Sequence, residues 1–262
     1  MSDDAAKRST DWYGWKPDLP DHRDFKYADI APKRLKLPAK VDLRNCCSPI
    51  QNQGTLGSCT AHALVGALKF LDKKAGRKVV NLSRLFIYYN ERAIEHHVQY
   101  DRGAHLRDGI KSLAHHGVCE EEEWPYRTDN RTFKLRPAKR CYEAALKHRV
   151  RSYHRIQTLD EMQKCLASGY PFVFGFSVYQ SFEAKQIEKT GILNMPRRNE
   201  TLKAGHAVMA VGYDDEEERF LIRNSWGADW GKGGYFTMPY DYLATRDLSD
   251  DFWMIQASES VS

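Results

Sequence analysis

Four residues of this chain carry side chains that could together transfer an acyl group: Gln53, Cys59, His206 and Asn224. A cysteine ionised to thiolate is a nucleophile. A histidine can take and return a proton near neutral pH. An asparagine carbonyl can accept from one ring N–H and leave the other ring nitrogen for a thiol. A glutamine N–H can meet the oxyanion that forms during attack. Each signal is weak alone, since a lone buried cysteine is commonly an inert small hydrophobe. Their weight lies in the local sequence around each.

Two elements must bring them together. In QNQGTLGSCTAHALVGAL, Gly54 and Gly57 allow a tight turn, and Ser58 is a good helix N-cap residue. Ala61, Leu64, Val65 and Leu68 then recur at helical spacing, which predicts Cys59 in the first turn of a buried helix. There the helix dipole and unpaired N–H groups favour thiolate. The second element is KAGHAVMAVGYDDEEERFLIRNSWG, read as a hairpin with the acidic turn Asp214 to Glu218. A turn centred near Asp215 sets His206 opposite a residue close to Asn224, with Trp226 able to cover the pair. His62, one turn after Cys59, is a rival base; a buried, hydrogen-bonded histidine is the favoured reading of it.

The rest of the chain sets limits. With 262 residues, 42% hydrophobic and 29% charged, it can bury a core and is not a disordered chain. A net charge of +5 is too small to argue for a nucleic-acid partner. No run approaches the ~18 apolar residues of a membrane helix. MSDDAAKRSTDW lacks the apolar core of a secretory signal, so the cytoplasm or a non-classical export route is expected. Six cysteines (Cys46, Cys47, Cys59, Cys119, Cys141 and Cys165) form no regular framework, which suits a reducing compartment. Cys46 and Cys47 lack CxxC or HxxxH companions, so no metal is expected.

Residues 1 to about 36 differ in character from the remainder. DWYGWKPDLPDHRDFKY mixes aromatics, prolines and charges without period, and Pro17 and Pro20 discourage a helix. It reads either as a tail packing its aromatics on the body or as an arm, around Trp12–Tyr27, lying over a groove. Helices are expected from Cys59 to near Gly76, from Leu82 to Glu95 with Ser83 or Asn81 as cap, and from His105 to His116. Residues 131–155, with nine Lys or Arg against Glu143, read as a solvated face at helical spacing. Thr158 and Glu161 form a capping box for a helix ending near Ala167. PFVFGFSV, HAVMAVGY, RFLIRNSW, GGYFTMPY and DFWMIQA read as strands. The fold class is α+β: a helical lobe over about 37–150 and an antiparallel β-rich lobe over about 151–262, with a cleft between them.

Taken together, QNQGTLGSC, GHAVMAVGY and LIRNSWGADWGKGGYF resemble the papain family of cysteine peptidases, and LPAKVDLR resembles the start of its mature enzymes. His206 fits the family's ~130–150 spacing from the cysteine, and Asn224 runs slightly longer. The resemblance implies a papain-like two-lobe fold and a thiol protease without cofactor, acting as an endopeptidase on peptide or protein substrates. Cys59 would be nucleophile, His206 base and then acid, Asn224 its orienter and Gln53 an oxyanion donor. Trp226 would shield the His–Asn bond and Trp230 line the leaving-group side. Gly103 and Ala104, in YDRGAHLRDGI, would be the ledge that pairs with substrate backbone. Gly175, Ala204, Gly205 and Ala207 would line a pocket wide enough for a bulky apolar side chain. Leu56 replaces the signature's first cysteine and Asp101 stands near its usual partner, so that family disulfide is expected to be absent. Thr60 and His62 stand where aromatics are usual. Only about 36 residues precede LPAK, too few for the family's helical prosegment, which suggests a divergent or bacterial-type branch with a short propeptide that restrains its own cleft. Two other readings share the motifs: another Cys–His acyl transferase or deamidase, and a papain-fold binding protein without turnover.

Overall fold

In the computed structural model, which describes residues 13–257, the central element is α1 (Cys59–Lys74), whose residues from Cys59 to Leu71 are all buried. A helix buried on every side must sit at the centre of its core, even with Thr60, His62 and Lys69 among its buried residues. Around it pack α2 (Arg84–Ile94) and α3 (Leu106–His115). Their ends follow their sequence signals. The Ser83 hydroxyl accepts from Phe86 N–H, and Gly76 and Gly117 end their helices at φ 69° and 77°.

A seven-stranded sheet covers the other face of α1. Its order is β4 (Val150–Arg155), β9 (Ser249–Ala257), β5 (Phe172–Tyr179), β6 (Leu202–Asp214), β7 (Arg219–Arg223), β8 (Tyr235–Pro239), with β2 (Lys40–Asp42) pairing the far end of β6. All these pairs are antiparallel. Phe172, Phe174, Phe176, Phe220 and Phe236 form a second core on the sheet's outer side. There α5 (Leu159–Ala167) packs, its N-cap Thr158 accepting from Glu161 N–H. This is an α+β, two-core arrangement, helices on one side and a mostly antiparallel sheet on the other. Shorter helices α4 (Lys139–Ala145), α6 (Lys185–Thr190) and α7 (Tyr240–Ala244) complete it. Among the described residues no helix is long and apolar enough to cross a membrane.

Two expectations need correction. Residues 131–155 are not one solvated helical face: they divide into a 3-10 turn, α4 and strand β4, and Arg155 is drawn inward by carboxylates on four sides. The β6–β7 hairpin turns later than Asp215, because a bulge lies between Ala210 and Gly212 and Glu218 takes φ 51° in the turn. Met209 therefore faces Arg223, so the turn is displaced, while His206 and Asn224 still come side by side as expected.

Candidate active site

Cys59 opens α1 with its side chain fully buried. Ser58 occupies the N-cap position but does not cap. Tyr126 Oη donates to Gln53 O at 2.8 Å, so the Ser58 hydroxyl, 2.6 Å from Tyr126 Oη, is drawn to the tyrosine instead. Gln53 is held at both ends of its amide: Nε2 donates to Leu56 O at 2.9 Å, and Oε1 accepts from Ser225 Oγ at 2.6 Å. That second bond ties the loop before α1 to the residue after Asn224.

His206 lies on β6, wholly inaccessible, with its Nε2 2.9 Å from Asn224 Oδ1. Ser225 N–H donates to the same Oδ1 at 2.8 Å, which identifies that atom as the carbonyl oxygen. Nε2 therefore carries the proton of that bond, and Nδ1, on the other side of the ring, is the nitrogen that acid–base chemistry would use. The next residue, Ala207, points its N–H at Cys59 Sγ from 3.4 Å. The sulfur thus sits against the strand position adjoining the imidazole. Trp226 lies over the His206 ring, centroids 4.9 Å apart and planes inclined 32°, and Trp230 meets Trp226 edge-on at 5.2 Å. Trp230 itself is only 2% exposed, standing behind Trp226 against Phe182 and Phe236.

The helix dipole does not set the thiol's state here. Burial dominates and pushes the Cys59 thiol up to about 12, against the N–H groups of Ala207 and Gly14 that pull it down. The expectation of a ready thiolate is thus corrected: beneath its cover the sulfur is held as a thiol. His62 is buried, with Nδ1 3.0 Å from Ser58 O in its own helix, and burial lowers it to about 3, so it stays neutral. Thr60 donates to the buried Glu91 carboxyl at 2.8 Å, which burial pushes well above the usual carboxylate range. All six cysteines are free, and Gly57 N–H donates to Asp101 Oδ1 at 3.1 Å, a hydrogen bond that ties the two loops.

What covers the sulfur is the segment from Tyr13 onward; Trp12 lies outside the described residues. Strand β1 (Trp15–Lys16) pairs in parallel with β3 (Ala104–His105), and Ala104 N–H donates to Gly14 O at 2.6 Å. The backbones approach so closely that a Cβ on Gly14 would fall 1.7 Å from Gly57 O, and one on Gly103 2.0 Å from Gly14 O. Tyr13 packs edge-on to His206 and near Trp226, both at 5.8 Å, and donates to Glu183 at 3.1 Å. Trp15 lies on Gly175 and Gly205, where a Cβ would come within 1.9 and 2.5 Å of it. Its indole N–H donates to Asp251 Oδ2 at 3.0 Å.

The chain beyond is tied by charge. Arg107 pairs with Asp24 in a fork at 2.7 and 3.1 Å, and Arg155 reaches Asp251 at 2.7 Å and Asp24 at 3.4 Å. Asp18 takes the Trp253 N–H at 3.1 Å and gives its own backbone N–H to Asp251 at 2.8 Å. Lys16 pairs with Glu95 at 3.1 Å. Tyr13, Gly14, Trp15 and Asp251 were not among the sequence candidates. The glycine between aromatics in YGW is the one sequence signal of close backbone contact, and Asp251 carries none.

Comparison with known proteins places the chain by family. A family description, papain family cysteine protease, matches residues 37–250. A protein of Acanthamoeba polyphaga mimivirus, an uncharacterized peptidase C1-like protein, is 40% identical over 93% of this chain and 86% of its own length. Mouse pro-cathepsin H is 30% identical, matching 76% of this chain, which spans 59% of that protein. The crystal structure of xylellain, a cysteine protease from Xylella fastidiosa, superposes with a TM-score of 0.89 at 44% identity, covering 97% of this chain and 98% of the other.

Proposed function

Because the chain belongs to the papain family of cysteine proteases, we propose that it hydrolyses peptide bonds through a thioester formed on Cys59. The observation that carries the chemistry is the pair of contacts around β6: His206 Nε2 at 2.9 Å from Asn224 Oδ1, and Cys59 Sγ beside the N–H of the next residue. Cys59 gives its proton to His206 Nδ1 and its sulfur attacks the peptide carbonyl. The negative oxygen is met by the Cys59 N–H at the helix start and by the Gln53 amide. The C–N bond breaks as His206 returns the proton to the leaving amine. Water, deprotonated by His206, then attacks the thioester and releases the acid and the thiol. Asn224 keeps the imidazole in the required tautomer, and Trp226 shields their bond from water. The steps balance without a metal or redox cofactor.

Residues 37–262 act as the peptidase body, a helical lobe to about 150 and a β lobe beyond, and residues 1–36 as a short propeptide-like arm whose described part, from Tyr13 on, closes the groove. Gly103, Ala104 and Gly205 then serve as the substrate-facing ledge and wall, with Trp226 and Trp230 on the leaving-group side. The arm's direction explains how it escapes cleavage. His206 must protonate the leaving amine, so residues C-terminal to a cleaved bond lie on the His206 and Trp226 side. In the arm that side holds Tyr13, which precedes Gly14, and Trp15 follows away from it. The arm crosses the sulfur backwards. Because it continues on both sides of Cys59, the groove suits an endopeptidase.

The test is covalent. A thiol-directed epoxide is expected to add one equivalent at Cys59 on an arm-displaced chain and abolish peptide hydrolysis, and Cys59→Ala is expected to fold without turnover. Hydrolysis retained by Cys59→Ala would refute the mechanism. Masses of the products from a peptide library separate hydrolysis from acyl transfer to an amine or side-chain deamidation.

A further inference from the structure

A small cavity lies between α1, β6 and the residues that follow β7, with His62, Ala207, Arg223 and Asn224 in its lining. Its volume is about 10 Å³, room for one water molecule. Two of these side chains, His62 and Asn224, are more than nine-tenths buried, and each has one polar atom without a protein partner: His62 Nε2 and Asn224 Nδ2. The two atoms have opposite needs. Asn224 Oδ1 already serves His206 and the Ser225 N–H, so the amide is fixed with Nδ2 as a donor. His62 Nδ1 stands 3.0 Å from Ser58 O, a carbonyl that can only accept, so Nδ1 carries the ring proton and Nε2 is a bare acceptor. Burial keeps the ring in that neutral form, and the cations Arg84 and Arg223 act in the same direction. A buried donor and a buried acceptor left apart are both costly, and one water between them satisfies both.

We infer that His62 is a positioning residue for His206, acting through one buried water: Asn224 Nδ2 donates to the water, the water donates to His62 Nε2, and the relay holds the Asn224 carbonyl on the imidazole. The inference rests on the peptidase reading above. An amide whose N–H is drawn on by an acceptor carries more negative charge on its oxygen, and linked hydrogen bonds strengthen one another. The oxygen so polarised is the one 2.9 Å from His206 Nε2. It is needed most once His206 has taken the Cys59 proton and become an imidazolium. The rings packed against His206, those of Tyr13, Phe176, Phe182 and Trp226, bring no charge of their own to that step. His62 therefore serves the proton transfer and not the binding of substrate, and it does so as an acceptor, never as a second base.

The experiment uses the full chain carrying Gly14→Val, whose side chain does not fit against Gly57 O and lifts the arm from the sulfur. Adding His62→Leu keeps much of the volume and removes the acceptor. Ser58 O is not orphaned by the change, because the backbone N–H of His62 also donates to it at 3.1 Å. Peptide hydrolysis is expected to lose roughly three- to tenfold in kcat, the worth of one neutral hydrogen bond, with KM within about twofold. The alkaline limb of the kcat/KM profile, where the imidazolium gives up its proton, is expected to move down by about half to one pH unit. His62→Gln, whose carbonyl can reach the place of the ring Nε2, is expected to recover most of the loss. An unchanged kcat and pH profile in His62→Leu, a loss carried by KM, or a His62→Gln no better than His62→Leu would overturn the inference while leaving the peptidase reading intact. If His62→Leu does not fold, His62→Phe, which keeps a ring against Tyr126, serves with the same expectations.

A measurement free of turnover separates the two readings. A crystal structure of the full chain carrying Cys59→Ala is expected to show one water within about 3.2 Å of both His62 Nε2 and Asn224 Nδ2. A dry cavity, or a water bonded to only one of the two atoms, would overturn the relay. If the water bridges both atoms while Gly14→Val with His62 intact hydrolyses nothing, the peptidase reading fails and the bridge between the two side chains stands.

Discussion

The two halves of the arm grip the body by different physics. From Tyr13 to Trp15 the hold is mainly one of shape: a short parallel ladder that begins at Ala104, glycine backbones in near contact, and two rings seated by Phe182's neighbours and Gly175. From Asp18 to Asp24 it is one of charge: two arginines, Arg107 and Arg155, clasp buried or half-buried carboxylates. The first half lies on the reacting sulfur; the second lies beside the sheet edge and anchors the first. Shape decides whether the groove is closed, and charge decides how firmly and at what pH.

The largest expected effect comes from cutting the charged half. Arg155→Met leaves Asp18, Asp24 and Asp251 without their shared cation, and breaking a buried pair costs about 3–5 kcal/mol. For a chain of this size the melting temperature is expected to drop by roughly 6–20 °C, with faster alkylation of Cys59 alongside. A melting temperature unchanged within error would show that the clasp holds nothing and would dissolve the comparison.

Next comes the half that depends on shape. Gly14→Val places methyls where Gly57 O already sits at 1.7 Å from a Cβ, so β1 must lift. Overpacking of this kind costs about 1–3 kcal/mol, which predicts iodoacetamide labelling of Cys59 faster by roughly ten- to hundredfold at neutral pH. The melting temperature is expected to fall by less than in Arg155→Met, by roughly 2–12 °C on the same conversion, because Asp18 to Asp24 remain clasped. A fall as deep as that of Arg155→Met would mean that the two halves are one cooperative unit.

The smallest effect sharpens the charged half by pH. Burial raises Asp251 from its ordinary 3.8 to about 7, with Asp18 and Asp250 adding to the rise and Arg155 opposing it; burial raises Asp18 as well. A carboxyl held above its unfolded value binds its proton more tightly when folded. Its contribution is fully present below about 3.8 and is lost as pH rises through about 7. Melting temperatures between pH 4 and pH 8 are expected to fall by a few degrees more in wild type than in Asp251→Asn. Parallel curves would show that this carboxylate does not titrate in that window.

How much of the fold and site was legible depends on where the determinants lie in the chain. The thiol's element was written contiguously, glycines, then Cys59, then an apolar helix, and it folds that way. The Ser58 cap was legible by residue type but lost to Tyr126, a partner far along the sequence that no local rule weighs. The His206–Asn224 contact was legible as a hairpin while its register was not, because a bulge and a left-handed Glu218 shift the turn. The pocket that Trp15 fills was half legible: Gly175 and Gly205 announce room, but Asp251 reads as one more acid before a strand. Its role appears only when Arg155 and Trp15 are brought to it from opposite ends of the chain.

Gly14, Gly57 and Gly103 meet so closely that the backbone itself serves as the latch. Such a latch has no side chain to trim by degrees; almost any coding change at Gly14 or Gly103 forces it open. A genetic screen for variants that digest a reporter without prior processing would therefore gather its hits at these two codons, and lineages that keep the arm would keep both glycines.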